Sequence, residues 1–253
     1  MLWMAGRRRG GVIDPLSLSS LELYLRQDQV LGADGSAPAA WTNNRWTDLS
    51  THSRHATVGI HGSPHLRTTG ANLTPNGSQV VEFTGTQGLD VNFGAAISGT
   101  NGWTLIFYYK SITLSAGHNN DLFYAQPGKF LEVCAQSNIA FNGYDRDGKP
   151  GLDCTGVALK TFDPASSTGW HMLSYVFSPP VATGVVRGYL DGTLMSPTFN
   201  NWDVALEGAT SIGNSPGSNS ALEGTLAVAV AFSEAFSDTT RTGVEAYFHL
   251  RFD

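Results

Sequence analysis

Between residues 79 and 232 the chain is a succession of short β-branched and aromatic runs, each bounded by Gly, Asn, Asp, Ser or Pro. The first are QVVEFTG at 79–85, GLDVNF at 88–93 and GWTLIFYYKSI at 102–112. DLFYAQ, KFLEVCAQ and NIAFNGY follow between 121 and 144, then GWHMLSYVFS at 169–178 and GVVRGYLDGTLM at 184–195. TSIGNS and GTLAVAVAFSEAF complete the series. Runs this short do not make helices of ordinary length, and turn residues between them demand antiparallel neighbours rather than βαβ crossovers. Asp191-Gly192, between two Val/Tyr/Leu runs, predicts a two-residue hairpin turn with positive φ at both positions. Upstream, Leu21, Leu23 and Leu25 alternate with Glu22, Tyr24 and Arg26, which predicts a strand with those leucines on one face. Residues 41–77 carry weak periodicity and predict a loop-rich section with short strands at most. One helix is expected, in SDTTRTGVEAYFHLRF, with Ser237 or Asp238 as N-cap and Val244, Tyr247 and Phe248 on one face. The fold class that follows is all-β: a two-sheet antiparallel jelly-roll sandwich with one short C-terminal helix.

The 253 residues, with 29 glycines and 14% charged residues, suit a single sandwich domain large enough to bury its own core. A net charge of -6 argues against a nucleic-acid surface, which presents a dominant basic field. No apolar run approaches the roughly 20 residues that span a bilayer. In MLWMAGRRRGG the apolar residues precede the charges and there is no signal-type apolar core, so assembly in a cytoplasm is expected. Residues 1–13 read as a basic arm and 14–253 as the domain. Arg7, Arg8 and Arg9 are candidates for docking on an acidic partner surface. Cys134 and Cys154 flank the turn-rich NGYDRDGKPG; a cross-strand disulfide is geometrically open there, and so is the reduced state that a cytoplasm maintains.

Four local patterns resemble laminin-G-like, concanavalin A-like jelly rolls of the phage- or bacteria-borne type. DPLSLSSLELYLRQDQVLGADGSAPAAW is similar to their opening strand and acidic turn. WTDLSTHSRHAT resembles a Trp-x-Asp-x-Ser…His-x-Ala-Thr element, here Trp46, Asp48, Ser50, His55, Ala56 and Thr57. GWHMLSYVFS…GVVRGYLDGTLM is similar to a Trp-His strand with a hairpin closing on Tyr-x-Asp-Gly. SIGNS…LEGTLAVAVAFSEAFSDTTRTGVEAYF resembles the closing turn, Gly-led strand and helix. The patterns run from about residue 14 to residue 252, with one departure: Thr51-His52-Ser53-Arg54 replaces the usual Gly-Asn turn.

Four of the seven histidines, His52, His55, His61 and His65, cluster in one stretch and invite a metal reading. Their spacing lacks the tightly paired ligands of structural zinc sites, and the resemblance already places a histidine at His55. His171 reads as a packed residue. The seven glutamates, Glu22, Glu82, Glu132, Glu207, Glu223, Glu234 and Glu245, are isolated, without the alternating carboxylates of sandwich glucanases. No nucleophile-elbow or phosphate-loop motif occurs. No catalytic residue is therefore assigned, and a non-enzyme is expected. Calcium is the one candidate cofactor: Asp145, Asp147 and Asp153 in DRDGKPGLD offer loop carboxylates, though Gly148 and the missing Glu do not fit an EF-hand. Saccharide sites pair aromatic platforms with amide and carboxylate partners, which nominates Trp41, Asn43 and Asn44 with Asn201, Trp202 and Asp203.

Basic arm, cytoplasmic assembly and lectin-like sandwich together suit, by analogy, a non-catalytic bacteriophage virion surface protein, either head decoration or tail-associated. Its expected partners are capsid or tail proteins, host surface glycans and further copies of itself, not nucleic acid or membrane. A secreted bacterial carbohydrate-binding module, or a glycoside hydrolase of the same fold, is the alternative.

Overall fold

The computed structural model describes residues 11–31, 45–58, 62–94, 97, 100–111, 119–125, 129–134, 138–142, 160–161, 169–179, 185–194, 199–200, 209–213 and 222–253. In chain order the strands are β1 (Leu21–Leu31), β2 (Arg45–Asp48), β3 (Ala56–Val58), β4 (His65–Arg67), β5 (Val80–Thr84), β6 (Leu89–Asn92) and β7 (Trp103–Ser111). Next come β8 (Asn119–Ala125), β9 (Lys129–Cys134), β10 (Asn138–Asn142), β11 (Lys160–Thr161), β12 (Trp170–Ser178) and β13 (Val185–Leu190). The series ends with β14 (Thr193–Leu194), β15 (Phe199–Asn200), β16 (Ala209–Ile212), β17 (Glu223–Phe232) and helix α1 (Asp238–Phe252). The strand runs read from the sequence are all present, and all described pairings are antiparallel. Asp191 and Gly192 take φ of 50° and 77°, the left-handed pair that the hairpin requires.

One sheet runs β13–β12–β7–β17, with β1 and β5 sharing the far edge of β17. The other runs β2–β3–β6–β16–β8–β9–β10–β11 and is joined to the first where β2 pairs with β1. Between them lies a core that includes Leu23, Leu25, Trp46, Phe83, Leu89, Trp103, Phe107, Tyr175 and Phe177.

The first sheet is buried on both faces. Its opposite side packs Tyr24, Ile106, Tyr108, Met172, Val228 and Val230 against Val244, Phe248 and Phe252 of α1. Tyr24 is consequently buried, and Glu22 is buried beside Arg54 and Ser233, where alternation alone would place both in water. The leucine stripe of β1 also breaks: the register shifts between Leu21 and Leu23, so Leu21 joins the helix-side cluster while Leu23 and Leu25 join the inter-sheet core. A second shift, between Leu226 and Val228, turns Leu226 and Ala229 inward on the same core. Helix α1 starts at Ser237, whose hydroxyl accepts the Thr240 N–H, as the sequence predicts. Gly243 lets the N-terminal segment approach closely; a Cβ there would meet Gly11 O at 2.8 Å, and Ile13 N–H donates to Gly243 O at 3.1 Å.

Candidate functional site

WTDLSTHSRHAT folds into β2, a tight turn and β3, with Asp48 at the centre of the turn. Asp48 Oδ1 accepts the N–H of Tyr24 at 2.8 Å and of Ser50 at 2.9 Å. Its Oδ2 accepts the Ser50 hydroxyl at 2.6 Å and the Arg54 N–H at 2.8 Å. A buried carboxylate holding four donors ties β1, β2 and the turn together, and it leaves no lone pair for a metal. Trp46 is fully buried, its Nε1–H donating to Arg26 O at 2.6 Å. Ser53 stands at φ 55°, the left-handed conformation that glycine adopts without strain.

His55 is fixed from behind. Its Nδ1 accepts the Asp48 N–H at 3.0 Å, so that nitrogen carries no proton and the ring is the neutral Nε2–H tautomer. Burial and the nearby Arg45 guanidinium lower its pKa, with Asp48 opposing. The other histidines go elsewhere: His52 Nε2 lies 3.5 Å from Glu22 Oε2, and His65 is exposed on β4. His61 lies outside the described residues. Among the described residues no three His, Cys, Asp or Glu side chains converge as metal ligands.

Beside this turn an open groove of about 620 Å³ lies along the end of β6, lined by His52, Arg54, His55, Thr57, Asn92 and Phe93 among others. Phe93 is buried beneath it, and the remaining side chains offer donors and hydroxyls. Asn92 Oδ1 is used in accepting the Gly94 N–H at 2.8 Å, which leaves its NH₂ for solvent or ligand. Arg54 Nη1 donates to Glu22 Oε2 at 2.6 Å and to Glu22 O at 2.8 Å, so its charge is matched.

Trp41, Asn43, Asn44, Asn201, Trp202 and Asp203, the calcium candidates Asp145, Asp147 and Asp153, the docking candidates Arg7, Arg8 and Arg9, and Cys154 all lie outside the described residues. Cys134 closes β9, opposite Asn138 and Asn119. His171 is buried, its Nδ1 2.9 Å from Asp191 Oδ2, while Asp191 Oδ1 accepts the Met172 N–H at 2.9 Å. Burial raises the Asp191 pKa, but these two donors outweigh it and the net shift is downward. The Trp-His and Tyr-x-Asp-Gly patterns thus meet as one strand-to-hairpin clasp.

The groove itself was not legible in the sequence. Its signal, polar residues on both sides of β6, becomes visible only when the register sets His55 and Arg54 beside Asn92 and Phe93.

No protein-family model matches the chain, and no curated protein matches it. Solved structures do. The binding domain of Paraclostridial Mosquitocidal Protein 1 aligns with a TM-score of 0.59 and 12% identity, covering 91% of this chain and 52% of that one. Domain 4 of AbnA, a GH43 extracellular arabinanase from Geobacillus stearothermophilus solved with arabinotriose, aligns at 0.58 and 12%, covering 89% and 97%. The Botulinum Neurotoxin Type G receptor binding domain aligns at 0.58 and 10%, covering 92% and 52%. The chain is a jelly-roll-like β-sandwich. It spans about half the length of these toxin domains and nearly all of the arabinanase domain.

Proposed function

We propose that the chain is a non-catalytic saccharide-binding sandwich that anchors a larger assembly to a glycan-bearing surface, with the groove beside His55 as its binding site. The observation that carries this reading is the lining: fixed donors from His55 and Asn92 and the Thr57 hydroxyl above a Phe93 floor match the dense hydroxyl display of a sugar. The neighbouring folds support it, since two are named as binding domains and the third was solved with arabinotriose.

The carboxylates support a non-catalytic role. A glycosidase needs one carboxyl held protonated and a second free to attack or activate water. Glu22 is paired with Arg54, Glu82 with Arg67 and Glu245 with Arg241, and Asp48 is saturated by four donors. Each of these carboxylates is already engaged by donors of the fold itself. The assembly that carries the sandwich is, in this proposal, a virion surface reached through Arg7, Arg8 and Arg9, and deleting residues 1–11 is expected to release the protein from particles while sparing saccharide binding.

The test is an oligosaccharide array probed with the full chain and with Asn92→Trp, which fills the groove from an exposed strand end. Wild type is expected to bind, and the variant to lose binding while keeping its unfolding midpoint. Binding retained by Asn92→Trp but abolished by Trp41→Ala or Trp202→Ala moves the site to the loop platform. A wild type that binds nothing on the array refutes the reading.

A further inference from the structure

Among the described residues, arginines are matched by acids with two exceptions. Arg26 and Arg251 reach Asp28, Arg54 reaches Glu22, Arg67 reaches Glu82 and Arg241 reaches Glu245. Arg187 makes do with the Ser178 hydroxyl at 3.1 Å. Arg45 has no ion pair among the described residues, and its Nε is buried without an acceptor. A guanidinium donor removed from water with nothing to receive it is costly, and a site that binds an acceptor relieves that cost.

Arg45 stands next to the groove. In the β2–β3 ladder it faces Thr57, a groove-lining residue, and β2 alternates so that Arg45 and Trp46 point to opposite faces, Trp46 inward. His55, two residues before Thr57, has its Nδ1 occupied by the Asp48 N–H, and the Nε2–H has no partner among the described residues. Two donors, one charged and one neutral, therefore lack acceptors among the described residues: His55 in the groove lining and Arg45 on the strand beside it.

The described acids nearest Arg45 are engaged elsewhere. Glu22 is occupied by Arg54 and by the Ser233 hydroxyl at 2.8 Å, and Asp48 by its four donors. Asp90 faces Thr57 from the other side, two strands and roughly 10 Å from Arg45, and has an interaction of its own.

Resting on the saccharide reading above, we infer that the ligand is an acidic saccharide whose carboxylate seats between the Arg45 guanidinium and the His55 Nε2–H. A guanidinium with a neutral second donor suits the two oxygens of a carboxylate, and the Asn92 amide is left to hydroxyls. The neutral His55 serves this role as a donor of fixed direction, since its other nitrogen cannot take a proton without losing the Asp48 contact.

The experiment compares uronate- and sialate-bearing oligosaccharides with their carboxyl-reduced and sulfated counterparts, using the full chain. Wild type is expected to favour the carboxylated member of a pair over the reduced one by roughly tenfold or more. Arg45→Gln is expected to abolish that preference while binding the reduced member as wild type does, and Arg45→Lys to keep most of it. Equal binding of carboxylated and reduced members by wild type overturns the inference, as does a preference that survives Arg45→Gln. Preference for the sulfated member without preference for the carboxylated one overturns the carboxylate assignment. Binding of the reduced saccharides reports on the underlying reading separately, so a chain that holds neutral sugars without discrimination fails only here.

Discussion

Replacing Asp48 by Ala removes the acceptor for three backbone N–H groups, those of Tyr24, Ser50 and Arg54, and for the Ser50 hydroxyl. The Tyr24 and Ser50 donors are buried and the Arg54 donor is partly buried, so water replaces the carboxylate poorly. Each orphaned buried donor costs about 1–3 kcal/mol. Taking the low end for each of the three gives a loss of about 3 kcal/mol, at the upper edge of what single substitutions do. The hydroxyl contributes less, because Ser50 can turn toward Glu22 O, already 3.3 Å away. Asp48→Asn retains one acceptor oxygen and is expected to fall between Ala and wild type. Urea unfolding with a common m-value measures the loss. The turn also carries the groove, so saccharide binding should weaken in Asp48→Ala under conditions where the core is still folded. A destabilisation below about 1 kcal/mol, or one matched by Ser50→Ala alone, would refute the view of Asp48 as the hub of this corner.

Two further perturbations probe the fold. Glu245→Leu removes the buried partner of Arg241, 2.5 Å from its Nη1, and leaves it the exposed Asp238 at 3.5 Å; it should cost about 3 kcal/mol, whereas the double change Arg241→Met with Glu245→Leu should recover most of it. Equal losses in the single and double variants, measured by urea unfolding, would show that packing rather than an uncompensated charge is at stake. The second is a pH effect: because the His55 pKa is lowered on folding, the unfolded chain binds its proton first, so the neutral ring's stabilisation is complete above the usual value near 6.5 and declines as pH falls through the folded value. Asp28 and Asp191, both shifted below 3.8, act in a more acid range. Wild type should therefore lose more stability than His55→Gln between pH 7.5 and 5, and parallel losses would sink the assignment.

The alternation of β-branched and aromatic runs was enough to predict the sandwich, because side chains of period two between tight turns have few other ways to bury their apolar face. Ser237 and the Val244–Phe248 spacing likewise announce α1, and Asp191-Gly192 its hairpin, since both depend on neighbours in sequence. The two-residue strands β11 and β15 and the 3₁₀ turn at Pro15–Ser17 were not predicted; elements this short exist through their partners rather than through periodicity. Leu21 was expected beside Leu23 and Leu25, and a register shift that no composition signals sends it to the other face.

What the sequence determined by itself was local: where strands start and stop, which turn needs left-handed residues, and that Asp48, Ser50 and His55 belong to one motif. What only the tertiary structure decided was which surface each residue meets. Tyr24 reads as an outward strand position and is buried because α1 lies across it, and Arg45 reads as an ordinary surface cation and has no acid partner among the described residues. The physical reason is the same in both cases. Propensity and periodicity act over a few residues, while burial and charge pairing depend on partners that the fold brings together, such as Phe248 against Tyr24 and Thr57 beside Arg45.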